Sequence, residues 1–110
     1  MANTFLRKTT RDVGTGGSTV GSYVVGASTQ TTIIGLTCAN TTSTAITVDV
    51  QLNDGTNDTY LVKAGTVPAG SSLVVVGGDQ KVVLQTGDSV VVTSSAATSC
   101  DVVMSILEIT

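Results

Sequence analysis

A chain of 110 residues, 41% hydrophobic and only 3% aromatic, is the length of one domain and must build its core from Val, Ile, Leu and Ala. It has no His and no Trp, which removes the usual general base, the usual zinc ligand and the best stacking surface before any motif is sought. The formal charge of −3 excludes a strongly basic nucleic-acid binder, but the charges are unevenly placed. Arg7, Lys8 and Arg11 are three of the five basic residues, whereas residues 12–110 carry two lysines against all eight acids, a net charge of −6.

Residues 1–17 read as a basic, extended arm that ends in a flexible hinge, Gly14-Thr15-Gly16-Gly17. No apolar stretch near Met1 has the form of a secretory signal, and no run approaches a membrane span, so assembly in the cytoplasm is expected. From Ser18 the pattern changes to short β-type runs separated by turn residues, and residues 18–110 are expected to form the folded body.

The first two runs are 18–25 and 31–39, the second with Ile33, Ile34, Leu36 and Cys38 as its apolar members. Residues 44–52 alternate cleanly, with Ile46, Val48, Val50 and Leu52 on one face and Thr47, Asp49 and Gln51 on the other, the period of a half-buried strand. Asp54-Gly55 marks a hairpin turn, and 59–63 returns as the partner strand. The only proline, Pro68, lies in the next turn; 73–76, 81–84 and 89–93 follow as short strands. Residues 101–109 close the chain with apolar side chains on both faces, the mark of a central strand or an interface strand. About eight strands at this spacing predict an all-β antiparallel sandwich, Ig-like or jelly-roll, with the N-terminal arm extending from it.

The candidates for chemistry are weak. No base adjoins a Ser, Thr or Cys nucleophile, so no catalytic residue is assigned and the chain is not expected to be an enzyme. Asp79 and Asp88 sit in turns, where aspartates order the backbone. The segment Asn53–Asp58 is oxygen-rich but lacks the spacing and terminal Glu of a calcium loop. Cys38 and Cys100 lack metal spacing and read as two buried free thiols, a cross-strand disulfide being the alternative. No cofactor, no metal, no direct nucleic-acid contact and no membrane contact are expected. The remaining feature is the arm: Phe5 and Leu6 as an apolar anchor, with Arg7, Lys8 and Arg11 reaching onto an acidic surface of a neighbouring chain. The aromatic-poor core and the two-faced last strand together predict a homo-oligomer.

Several segments resemble small virion structural proteins of tailed bacteriophages, especially marine and cyanobacterial ones. They are Tyr60-Leu61-Val62-Lys63, Val67-Pro68-Ala69-Gly70-Ser71-Ser72-Leu73, Lys81-Val82-Val83-Leu84, Gly87-Asp88-Ser89-Val90-Val91-Val92 and the stretch from Ser99 to Glu108, with Met1-Ala2-Asn3-Thr4-Phe5 at the start. The resemblance covers residues 20–110 loosely and 60–108 best. It implies a β-sandwich in a virion, and most specifically a capsid decoration or cement protein, trimeric, bound to a major capsid protein or another virion protein. A neck, tail or fibre component, or a host-surface glycan-binding module, is the alternative. The resemblance carries no catalytic residue.

Overall fold

A computed structural model describes residues 3–110 and contains nine strands, with no helix among the described residues. They are β1 (Asn3–Val13), β2 (Ser18–Val24), β3 (Gln30–Asn40), β4 (Ile46–Asn53), β5 (Asp58–Val67), β6 (Ser72–Val76), β7 (Val82–Leu84), β8 (Ser89–Ser94) and β9 (Cys100–Ile109). All pairings are antiparallel. One sheet, A, has the order β1-β9-β3-β6, with β7 pairing the other half of β3; the second, B, has the order β2-β8-β4-β5. The chain changes sheet at almost every connection, and only β4–β5 and β6–β7 stay within one. Of the two sandwich topologies expected, this alternation is that of a jelly roll.

Each strand buries one row of its period-two pattern. β4 turns Ile46, Val48 and Val50 inward, β8 contributes Val90 and Val92, and β9 contributes Val102, Met104 and Ile106. On β3 the inward residues are Ile33, Leu36 and Cys38, a spacing that skips one step. The register against β9 shifts between Ile33 and Gly35, so a bulge restores the inward parity that strict alternation would lose. Tyr23 is the one aromatic of the core. Every buried polar side-chain atom among the described residues has a hydrogen-bond partner. Asn40 shows how: its amide donates to the carbonyls of Thr44, Val67 and Pro68, and its Oδ1 accepts from the backbone and hydroxyl of Thr42. It thereby ties the end of β3 to both flanking turns.

The structure corrects the expected boundary at residue 17. Residues 3–13 do not project as an arm: β1 pairs with β9 from Asn3↔Ile109 to Thr10↔Val102 and is the outer strand of sheet A. Met1 and Ala2, the first residues of the expected arm, lie outside the described residues. Gly14-Thr15-Gly16-Gly17 forms the turn that carries the chain from β1 in one sheet to β2 in the other. The strand escaped the sequence pattern because its inward row is Leu6, Lys8 and Thr10, of which only the first is apolar. Gly21 is what lets β1 lie so close to β2. It has φ +60, and a Cβ there would stand 2.8 Å from Cβ of Lys8.

Candidate assembly surface

The antiparallel registers define the outer face of sheet A residue by residue. One row across it is Phe5, Leu107, Thr32 and Val83; a second is Thr9, Val103, Thr37 and Val74. Between them lie Arg7 and Ser105, which are paired. Six large hydrophobic residues are exposed among the described residues, and four of them are here: Phe5 at 74%, Val74 at 63%, Val83 at 62% and Val103 at 46%. Single exposed apolar side chains are ordinary, but these four share one face.

The five residues assigned to arm docking divide between the two sides of β1. Phe5, Arg7 and Arg11 are exposed. Leu6 packs against the core, and the Lys8 ammonium lies 5.1 Å from the centre of the Tyr23 ring. Tyr23 forms hydrogen bonds with Thr31 Oγ1 at 2.7 Å and Glu108 Oε2 at 2.6 Å. Lys8, Tyr23, Thr31 and Glu108 come from four different strands, so this cluster fastens β1 to the corner where the two sheets meet. Burial first, and then the hydrogen bond to Glu108, push the Tyr23 phenol up to about 12.

Arg7 and Arg11 differ from the other cations. Lys63 pairs with Asp49 at 3.6 Å, the one ion pair among the described residues, and lies over the Tyr60 ring; Lys81 donates to the Gly78 carbonyl. Neither guanidinium has such a partner among the described residues. Arg11 stands at a register irregularity near Asp12 and Asp101, where the Asp101 carboxylate accepts the Asp12 amide.

The outer face of sheet B is more polar, although Val24 at 55% and Tyr60 at 46% are exposed on this sheet. Asp49 lies opposite Thr93, and Gln51 lies between Val91 and Tyr60. Beyond it projects the expected β4–β5 hairpin, whose turn has Gly55 at φ +93. The Asp54 carboxylate accepts the amides of Thr56 and Asn57, and these hydrogen bonds, that of Asn57 first, hold it below the usual carboxylate range. Asp58 accepts from the Asn53 amide.

Other candidate groups have structural occupations. Asp88 accepts the Gln85 amide and orders its turn. Asp79 is exposed. Cys38 and Cys100 are buried free thiols, as the sequence implied. The interaction with the neighbouring Cys100, with burial added, pushes the Cys38 thiol up, and the Cys100 thiol donates to the Asp101 carbonyl. With both side chains sealed in the core, Cys38 keeps its proton. No group of three or more metal-binding side chains exists among the described residues. An open polar cleft of about 490 Å³ lies at one end of the sandwich, lined by residues including Ser28, Gln30, Gln85 and Thr86 and by no aromatic ring.

The docking candidates read from the sequence, Phe5, Leu6, Arg7, Lys8 and Arg11, all fall on β1, whereas Val74 and Val83 were not among them, since neither β6 nor β7 shows which sheet it will join. The one available signal was the two-faced pattern of 101–109. β9 proves to be a central strand, with Val102, Met104 and Ile106 inward and Val103 and Leu107 on the outer face.

No family model and no curated protein matches this sequence. Solved structures do. The chain is similar to a subunit from the Bacillus endospore appendages described as a novel family of disulfide-linked pili, with 19% identity, a TM-score of 0.51, and coverage of 96% of this chain and 85% of that one. It is also similar to VP2 of infectious bursal disease virus, as seen in the crystal structure of a subviral particle, with 12% identity and a TM-score of 0.58. That match covers 96% of this chain but 32% of VP2, so the chain spans about a third of that protein's length. At these identities the shared property is the fold, a β-sandwich found in a pilus and in a viral particle.

Proposed function

We propose that this protein is a non-enzymatic structural subunit of a virion, a decoration protein that attaches in many copies to the capsid. The observation that carries the reading is the outer face of sheet A, where four exposed apolar side chains and the unpartnered Arg7 lie together on a rigid sheet. A rigid body, an adhesive face and a core without reactive clusters are what a cement subunit requires. Weak contacts repeated over many copies sum by avidity, and a module that binds only the assembled particle stabilises it by mass action. The pilus and subviral-particle neighbours are proteins of assembled structures, which supports the same reading. Phe5, Arg7 and Arg11 are its proposed contact residues, while Leu6 and Lys8 hold β1 in place.

The test compares the disruption temperature of particles with and without the protein. A lower temperature without it is expected. An unchanged temperature with lost adsorption to cells would replace the cement role with host binding. A second reading, a tail or fibre component, draws on the pilus subunit, 85% of which the match covers. Labelling confined to the tail of intact particles would select it.

A further inference from the structure

We propose that the outer face of sheet A receives a second copy of this chain, which seats its β4–β5 hairpin there, so that subunits join head to tail. The inference rests on the structural reading above and names the partner of that face as a neighbouring copy in the particle-bound array, so that Phe5 and Arg7 act on the particle through the array. On β1 and β9, in the part of the face spanned by Phe5 to Thr9, the only charge is Arg7 and no carboxylate points outward, because Glu108 turns inward to Tyr23. The surface that meets it must therefore offer an apolar contact and an available anion. The hairpin end of sheet B offers both. Tyr60 is 46% exposed, and Asp54 and Asp58 have no cationic partner among the described residues, being held only by amide groups.

Pairing two sheet A faces about a twofold axis matches the charges less well. It would gather two copies of Arg7 in one interface with no carboxylate between them. Hairpin on face is a heterologous contact: each joined pair keeps one free face and one free hairpin, so the contact repeats. Its size fits repetition. Four strands spaced about 4.8 Å apart and rows four residues apart enclose an apolar centre on the order of 200 Å². A stable pair buries about 800 Å² per partner. One such contact is weak, and an array of them is not.

The experiment uses two surface variants of the full chain. Arg7→Glu with Val103→Asp disables the face; Asp58→Arg with Tyr60→Ser disables the hairpin. Circular dichroism checks that both fold, and Val83→Thr with Val103→Thr is a milder face variant that keeps β-branched residues in the sheet. Sedimentation velocity then follows mass across a concentration series. The wild type is expected to pass beyond a dimer as concentration rises, and each variant alone to stay monomeric. An equal mixture of the two is expected to stop at a heterodimer, since one working face and one working hairpin remain. A hairpin variant that associates like the wild type, or a mixture that stays monomeric, would overturn the head-to-tail contact. A wild type monomeric throughout would overturn self-association and leave the particle experiment to judge the structural role.

Discussion

The two sheets are alike inside and unlike outside. Both send rows of aliphatic side chains into a shared core, Val and Ile from sheet B and Val, Ile, Leu and Met from sheet A. Outward, sheet B shows Thr47, Asp49 and Gln51 beside the Lys63–Asp49 pair, whereas sheet A shows Phe5, Val83, Val103 and Val74 around one arginine. Folding does not explain the second pattern, because a side chain that stays in water contributes little burial free energy. Nor does a sandwich require it, because sheet B places Thr and charge on its outer face. The difference separates residues that hold the sandwich together from residues available to touch something else.

The largest test of that separation is in the core. Ile106→Ala on the inner row of β9 should cost about 2–5 kcal/mol, with a cavity left between fully buried neighbours. Chemical denaturation measures it. A loss as small as that of the outer-row Val103→Thr would mean that the two faces of β9 are not distinguished by burial.

Asn40→Ala comes next. It leaves the Val67 and Pro68 carbonyls and the Thr42 groups without their partner at a buried site, at a cost of about 1–3 kcal/mol. Restoration of stability by Asp or Ser at this position would reject the account, since neither reproduces the amide that donates to these carbonyls.

The Tyr23 cluster should give a smaller, pH-dependent effect. The phenol is raised in the folded state from 10.0 to about 12, so its neutral form is favoured by folding. That contribution is fully present below pH 10 and is lost as the pH rises towards 12. Tyr23→Phe should remove this alkaline slope and cost about 1 kcal/mol at neutral pH. An unchanged slope in the variant, read from thermal melts across that window, would show that another group titrates there.

The smallest effect on stability is expected for Val83→Thr and Val103→Thr on the outer face of sheet A, within about 0.5 kcal/mol each. Their value is that particle binding should fall while the melting temperature hardly moves. Equal losses in both would erase the distinction between the two kinds of residue.

Much of the fold was legible in the chain. The eight expected runs match β2 to β9, with the bounds of most within a residue or two. Asp54-Gly55 turns where Gly55 takes a left-handed φ, and both cysteines are buried thiols. These features are local or depend only on alternation, and alternation follows from the pleat itself. Tertiary structure decided the rest. β1 has Lys8 and Thr10 on its inward row, so hydrophobic pattern could not reveal it as a strand. It lies in the sheet because β9 supplies a long backbone ladder and Tyr23 receives the lysine. The outer face of sheet A likewise joins residues from β1, β6, β7 and β9 that are up to 102 positions apart, from Phe5 to Leu107. A period of two says which side chains of a strand share a face. It does not say which strands will lie beside it, because that choice is made by pairing between distant segments as the two sheets close on their core.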